Sequence, residues 1–361
     1  MIRLQSSQHT TGLVLAVAAG VALSRINWPR LIFRSIFGVL APTKERIWPS
    51  DDTSLSPQVR GLAWLLLAGP PPPHDIQPIR TMMKYFWPNV WPPVGNDITI
   101  ETLPTPRPDS QTLLIGHEQS SLGGAALIHI HGGGMVAGTT GTERGLAVEL
   151  SRRTKVPVLS IDYRLIPEAL VEEAVQDVVT AYQYFLDKFP QYTKITFIGG
   201  SAGAGHSLLA TLKLKEKNIQ PLPTSLVLTS PGPGMEFLDP EDEIESWKSL
   251  KENAPMDGYM AGEFYQYVTS IVYAPSQNRE YLRQQLKHLR GLPPCLVTAG
   301  SYEVILDGVH KLYRNLQAAE VQVEYKEYQK MQHCHFAFFE FTPESSQALD
   351  ELVDWVKASW V

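Results

Sequence analysis

Eight short runs of mostly apolar, β-branched and aromatic residues follow one another from residue 97 onwards, and each has the length of a β-strand. The runs occupy residues 97–103, 112–117, 125–131, 156–162, 194–199, 225–229, 294–299 and 321–328. Helical patterns separate several of these runs. Strands that alternate with helices form parallel β-α-β units whose helices cover both faces of a sheet. The pattern therefore predicts an α/β fold with a mostly parallel sheet.

Two of the helical patterns have clear boundaries. Between residues 168 and 189, apolar residues recur at steps of three and four, which is the spacing of one helix face. They are Val171, Val175, Val178, Tyr182, Leu186 and Phe189. Near the end of the chain, Thr342 followed by Pro343 has the form of an N-cap with proline at the first helical position. We therefore predict an amphipathic helix after the fourth run and a last helix that begins at residue 343.

The first 44 residues have a different pattern. They contain five basic residues and no acidic residue, around an apolar run at 12–23 that would span about 18 Å as a helix, short of a bilayer's roughly 30 Å hydrocarbon core. Three interpretations compete: a signal peptide or signal anchor, an interfacial helix, and a buried helix. We predict membrane association through residues 10–40, for example at the endoplasmic reticulum. A cytoplasmic location is the alternative.

Residues 1 to 110 hold 15 of the 28 prolines and five of the eight tryptophans. Proline lacks an N–H to donate, so this part of the chain predicts short helices and loops. We assign 1–44 as the apolar and basic segment, 45–96 as a lid segment, and 97–361 as the catalytic domain. About sixty residues separate the sixth run from the seventh, more than one crossover requires, so 232–291 is predicted to be a second lid insertion.

Composition narrows the function classes. The chain of 361 residues is 43% hydrophobic and 19% charged, which is typical of a thick, layered interior and not of disorder. A net charge of −6 gives no basic surface for nucleic acid. Two cysteines, Cys295 and Cys334, can form neither a disulfide framework nor a zinc cage.

The most informative motif is Gly-x-Ser-x-Gly at residues 199–203, which lies between a strand pattern and a helical pattern. A nucleophile elbow has this context, because its serine occupies a strained strand-to-helix turn where larger residues at the glycine positions would collide. The start of the helix also favours a developing negative charge nearby. Ser201 is therefore the candidate nucleophile.

A second motif, His131-Gly132-Gly133-Gly134, ends the third run. Glycines let backbone N–H groups approach a ligand closely, and acyl transfer needs such donors where charge builds on the carbonyl oxygen. We predict an oxyanion hole from the N–H groups of Gly133, Gly134 and Ala202, with Gly132 as a substitute for either glycine.

A nucleophilic serine also needs a base, and the base needs an orienting acid. The seventh run leads to Glu303, and His333 follows the eighth, which gives the order serine, acid, histidine used by α/β-hydrolases. Two alternatives stay open: Asp307 for the acid and His335 for the base.

Together, these motifs, Asp162-Tyr163-Arg164-Leu165-Ile166-Pro167-Glu168, and Met331-Gln332-His333 resemble the hormone-sensitive-lipase-like branch of the α/β-hydrolases over residues 97–361. The resemblance implies an eight-stranded, mostly parallel sheet with a lid built partly from the N-terminal segment. It also implies hydrolysis of carboxylic esters, often with short or medium acyl chains, without a cofactor. Membrane-anchored deacetylases of the steryl-acetate and arylacetamide type are similar in organisation.

The sequence departs from the family pattern at three positions that bear on the site. Gly200 and Ala204 replace the aspartate and the last glycine of the usual Gly-Asp-Ser-Ala-Gly-Gly. The candidate acid, Glu303, is one methylene longer than the usual aspartate.

Three other interpretations compete with this one. His129, His131, His333 and His335 could in principle meet around zinc, but His131 is explained as the residue that opens the glycine loop, and no metal is predicted. A non-catalytic small-molecule receptor on the same scaffold is a second alternative. A hydrolase or cyclase of a small-molecule biosynthetic pathway with the same triad is the third. We favour a serine esterase for a lipophilic ester, with the oligomeric state open.

Overall fold

A computed structural model describes residues 75–120, 123–235, 247–254, 256–257 and 262–361. The segment 1–44, with its predicted membrane association, and the first part of the lid segment 45–96 lie outside these residues. Within the described part of the chain, no helix is long and apolar enough to cross a membrane.

The central feature is an eight-stranded sheet, as predicted. Its strands are β1 Ile98–Thr102, β2 Leu113–His117, β3 Ala125–Ile130, β4 Val158–Ile161, β5 Lys194–Gly200, β6 Ser225–Thr229, β7 Cys295–Gly300 and β8 Val323–Tyr328. Their spatial order is β1-β2-β4-β3-β5-β6-β7-β8. β2 pairs antiparallel with both β1 and β4, and every other pair is parallel.

Helices occupy the connections. Before the sheet come α1 Ile76–Thr81, a π-helical turn Met82–Phe86 and α2 Trp87–Val90. The others are α3 Arg144–Thr154, α4 Val171–Lys188, α5 Ala202–Glu216, α6 Lys248–Glu252, α7 Gly262–Tyr273, α8 Ser276–Gln285, α9 Leu306–Ala318, a 3-10 turn His335–Phe338 and α10 Pro343–Ala358. The two predicted helix boundaries are close to those observed. The Thr342 hydroxyl caps α10 by accepting the N–H of Ser345.

The sheet divides the apolar core in two, because side chains alternate between its faces. In β3, Ala126, Ile128 and Ile130 join the larger cluster with α4 and α5. Ala125 and Leu127 join the smaller cluster with α3 and α10. All six residues of β3 are buried, as expected for a strand covered on both faces.

This topology sets the place of the site. The parallel strands β3, β5, β7 and β8 end at the same edge of the sheet, and the segments that carry the glycine loop, Ser201, Glu303 and His333 follow those four ends. Ligands of open α/β sheets bind beyond the carboxyl ends of the strands.

Candidate active site

Ser201 occupies a sharp turn between β5 and α5. Its backbone angles, φ 54° and ψ −122°, are costly for a residue with a side chain, and its N–H donates to Thr229 O at 2.9 Å. Such strain persists only where the surrounding structure holds it. The turn presents the serine side chain at the edge of the sheet, where it lines a cleft.

The glycines on either side of Ser201 are required by close packing. A Cβ built on Gly199 would lie 2.4 Å from the carbonyl carbon of Gly203, and one built on Gly203 would lie 1.9 Å from Ile130 O. Both distances are far inside van der Waals contact. The first and last glycines of the motif are therefore fixed by this turn.

Glu303 is completely buried and its carboxylate is fully engaged. Oε1 accepts the Gly300 N–H and the Ser230 hydroxyl, each at 2.6 Å. Oε2 lies 3.0 Å from His333 Nδ1. Because an ionised carboxylate only accepts, this contact places a proton on Nδ1 and directs Nε2 toward the acceptance of another proton.

His333 has no solvent exposure. Burial by itself lowers its pKa, but the Cys334 side chain and the Glu303 carboxylate beside it raise that pKa well above its ordinary value. The loop that carries His333 also packs on the elbow, since a Cβ on Gly200 would lie 3.2 Å from Cys334 Sγ. A histidine with a raised pKa is a stronger base than free imidazole.

The two alternatives from the sequence lie in other surroundings. Asp307 lies in the first turn of α9, and its Oδ2 accepts the Ser249 N–H at 2.8 Å. His335 packs against the Tyr328 ring, and burial lowers its pKa to about 3. The structure therefore pairs His333 with Glu303.

The glycine loop adopts backbone angles that favour glycine. Gly133 and Gly134 have φ of 117° and 64°. Among the described residues, the N–H groups of Gly133, Gly134 and Ala202 have no hydrogen-bond acceptor. The structure does not favour Gly132 as a substitute donor, because its N–H already donates to Glu143 Oε1 at 2.8 Å. A Cβ on Gly132 would lie 3.6 Å from Ser201 Cβ, so the loop borders the serine.

Glu143 was not among the residues predicted from the sequence. Its Oε2 lies 3.1 Å from His129 Nε2, and His129 Nδ1 lies 3.2 Å from the Ser160 hydroxyl. Burial raises the pKa of Glu143, but the hydrogen bond and charge of His129, the charge of His131 and the Gly132 N–H lower it overall. Glu143 is therefore an ionised carboxylate, and it holds the first residue of the glycine loop, Gly132, in place.

His131 also contacts the glycine loop. Its Nδ1 lies 2.8 Å from Gly132 O, and its ring stacks on Tyr163 with centroids 4.2 Å apart. The Tyr163 hydroxyl donates to His131 O at 2.8 Å.

Within the described residues, no group of three or more histidine, cysteine, aspartate or glutamate side chains could hold a metal ion.

Three further residues support the loops that carry Glu303 and His333, and the sequence did not indicate them: Ser230, Asn253 and Asp257. Asn253 Nδ2 donates to Glu303 O at 2.8 Å, and Asp257 Oδ2 accepts the Val304 N–H at 3.0 Å. All three belong to the chain between β6 and β7. No motif marks them, because their role depends on contacts with residues about 50 to 100 positions away.

The cleft above Ser201 encloses about 910 Å³ of space, including its open mouth. Six aromatic residues line it: Trp87, Trp91, Phe264, Tyr265, Phe336 and Phe338. They come from α2 and the residue after it, from α7, and from the turn after β8. Of the described residues that line the cleft, Glu143 alone carries a charge. The cleft can therefore hold an apolar ligand beside the Ser201 hydroxyl and the amide donors of Gly133 and Gly134.

Comparisons with known proteins identify the family and the fold. The model of a family described as alpha/beta hydrolase fold matches residues 127–337. An esterase of Acinetobacter venetianus is 32% identical over 63% of this chain and 73% of its own length. An acetyl esterase of Salmonella dublin is 28% identical over 84% of this chain and 93% of its own. The crystal structure of an esterase from the bacterial hormone-sensitive lipase family superposes with a TM-score of 0.71 at 26% identity, over 84% and 97% of the two chains.

Proposed function

The chain belongs to the alpha/beta hydrolase fold family and is a carboxylic ester hydrolase, and on this basis we propose that it cleaves esters of lipophilic small molecules through an acyl-enzyme on Ser201. The observation that carries the proposal is the position of Ser201 in the wall of an aromatic cleft, next to amide donors without acceptors. Apolar walls favour burial of hydrocarbon and exclude water from the reacting bond.

In the first half of the reaction, Ser201 Oγ attacks the ester carbonyl carbon while His333 accepts its proton. Glu303 holds the Nδ1–H of His333 and stabilises the imidazolium that forms. The N–H groups of Gly133, Gly134 and Ala202 stabilise the negative charge on the carbonyl oxygen. His333 then gives the proton to the leaving alcohol, and the acyl group stays on Ser201.

In the second half, water enters the space that the alcohol has left. His333 accepts a proton from this water as the water oxygen attacks the acyl carbon of the acyl-enzyme. The same amide donors stabilise the second tetrahedral intermediate. Its collapse releases the carboxylic acid and returns the proton to Ser201.

We assign a short acyl group to the substrate. Val268 lies close to the glycine loop, since a Cβ on Gly134 would lie 2.7 Å from Val268 Cγ1, and both residues line the cleft beside Ser201. The name of the Salmonella relative is in line with this assignment. The aromatic residues of α2 and α7, from the two predicted lid segments, then cover the lipophilic alcohol.

A fluorophosphonate probe tests the nucleophile, and p-nitrophenyl esters of increasing acyl length test the substrate. Ser201→Ala should abolish labelling and reduce ester turnover by at least about 10³-fold. Ser207→Ala is the matched control, because the side chain of this buried serine in α5 donates to the backbone oxygen of Gly203. Turnover of acetyl and butyryl esters should exceed that of decanoyl esters. Labelling that persists in Ser201→Ala would reject the proposal.

A further inference from the structure

Asp257 is a completely buried carboxylic acid in the chain between β6 and β7, and the mechanism above does not use it. Its two oxygens contact two different loops. Oδ2 accepts the N–H of Val304, the residue after Glu303, at 3.0 Å. Oδ1 accepts the N–H of His333 at 3.4 Å. One side chain therefore connects the loop of the acid with the loop of the base.

Two residues before Asp257, Ser249 and Asn253, donate hydrogen bonds to the loop that carries Glu303. Asn253 Nδ2 donates to Ser301 O at 3.2 Å and to Glu303 O at 2.8 Å. The Ser249 hydroxyl donates to Val304 O at 2.9 Å. Among these three side chains, Asp257 differs in two respects: it also reaches His333, and it can carry a charge.

That charge acts inside a buried cluster. Among the described residues, the titratable side chains of His333 and Glu303 influence the pKa of Asp257. Burial raises the pKa of Asp257 to about 7, His333 opposes this shift, and Glu303 adds to it. When both carboxyls are ionised, the cluster holds two negative charges, and a protonated His333 offsets one of them.

We propose that Asp257 is a positioning residue that fixes the Glu303 and His333 loops against each other and whose negative charge favours proton acceptance by His333. The inference rests on the proposed function, in which His333 takes the proton of Ser201. The imidazolium forms as Ser201 attacks, so a second buried carboxylate stabilises the charged form during that step. Backbone contacts set the distance between the loops, and the charge sets the strength of the base.

Asp257→Asn tests the charge while it keeps the shape of the side chain. Without the negative charge, the pKa of His333 falls. The acid limb of the pH profile of kcat/KM should therefore move down by about 0.5 to 1 pH unit. At pH 8, where the wild-type carboxyl is ionised, kcat should fall about 10-fold because the base is weaker and the loops are less well held.

Asn253→Ala is the matched control. It removes two hydrogen bonds to the acid loop but no charge, so kcat falls while the acid limb stays in place. A shift in Asp257→Asn that is absent in Asn253→Ala supports the proposal. An unmoved limb in Asp257→Asn, or an equal shift in both variants, would overturn it.

A measurement on the wild-type protein covers the case in which Asp257→Asn does not fold. With aspartate labelled at the carboxyl carbon, nuclear magnetic resonance should show one carboxyl that titrates near pH 7. If an aspartate carboxyl stays protonated at pH 8, the proposal is wrong, because Asp257 would then carry no charge while His333 acts as the base. Failure of the proposed function has a different signature, since wild-type protein that neither reacts with the fluorophosphonate nor turns over esters rejects the mechanism whatever the aspartates do.

Discussion

Glu143 Oε2 lies 3.1 Å from His129 Nε2, while the other oxygen of the same carboxylate accepts the N–H of Gly132 at 2.8 Å. Glu143, the residue before α3, thus contacts both His129 in β3 and the first glycine of the loop. One amide of that loop is thereby held, and the next two are left without acceptors among the described residues.

Replacement of Glu143 should separate loop support from charge. Glu143→Leu leaves the Gly132 N–H and the His129 ring without their partner, so it should lower the free energy of unfolding by about 1–3 kcal/mol and kcat by about 10-fold. Glu143→Gln keeps an acceptor for Gly132 and should lose less of both. Urea denaturation and ester kinetics measure the two effects. Wild-type stability and kcat in Glu143→Leu would contradict this role.

The assignment of the acid can be tested by paired substitutions. Glu303→Gln keeps the size of the side chain but removes the charge that stabilises the imidazolium, so kcat should fall by roughly 10³- to 10⁴-fold. Asp307→Asn should change kcat by less than about threefold, because Asp307 contacts the Ser249 N–H and not His333. Steady-state kinetics with one ester decides between them. A larger loss in Asp307→Asn would favour the alternative acid.

The two glycines of α5, Gly203 in the elbow and Gly205 after it, differ in what surrounds them. Gly203→Ala places a methyl group 1.9 Å from Ile130 O, a backbone atom of a central strand, so the turn must distort. We expect a loss of at least about 3 kcal/mol of unfolding free energy, or insoluble protein. In Gly205→Ala, the nearest atom to the new methyl group is Met135 Cε at 3.4 Å. This control should be tolerated, since alanine also favours the helix by about 1 kcal/mol. Thermal denaturation compares the two, and equal stability would refute the steric requirement.

Stability should fall in acid partly because of His206. This buried histidine packs against Tyr163, and burial, with a smaller effect of His131, lowers its pKa from 6.5 to about 3. Between these pH values the unfolded chain binds a proton that the folded protein does not. The unfolding free energy therefore falls as pH falls below 6.5, by up to about 1.4 kcal/mol per pH unit from this residue.

His206→Leu removes this proton from the unfolded state and keeps an apolar side chain next to Tyr163. Urea denaturation between pH 7 and pH 4.5 should show a shallower loss of stability than in the wild type. His335, with a pKa of about 3, leaves a remaining slope of the same sign. An unchanged slope in His206→Leu would show that His206 titrates normally in the folded protein.

The strands were predictable from the sequence. All eight apolar runs match the observed strands to within about two residues. In the central strands β3 to β7 the cause is burial on both faces, which demands continuous apolar residues. The elbow at Ser201 was predictable for a related reason. Close packing within the turn excludes a side chain at its glycines. Such a local requirement produces a motif of five consecutive residues that the sequence shows directly.

The sequence could not decide between Glu303 and Asp307, since both lie near the end of β7. The structure separates them by direction: Glu303 points to Gly300, Ser230 and His333, and Asp307 points to Ser249. Likewise, nothing in the sequence indicated that the Gly132 N–H is already engaged. The acceptor, Glu143, lies eleven residues further along, beyond the glycine loop.

The sequence by itself determined the sheet, the elbow and the set of candidate groups, because each depends on neighbours along the chain. Only the tertiary structure decided which carboxylates meet which histidines, and it brought Asp257 to residues 47 and 76 positions away. Hydrogen bonds and charge effects act over a few ångströms in space, so their partners are set by packing across the sheet edge and not by spacing along the chain.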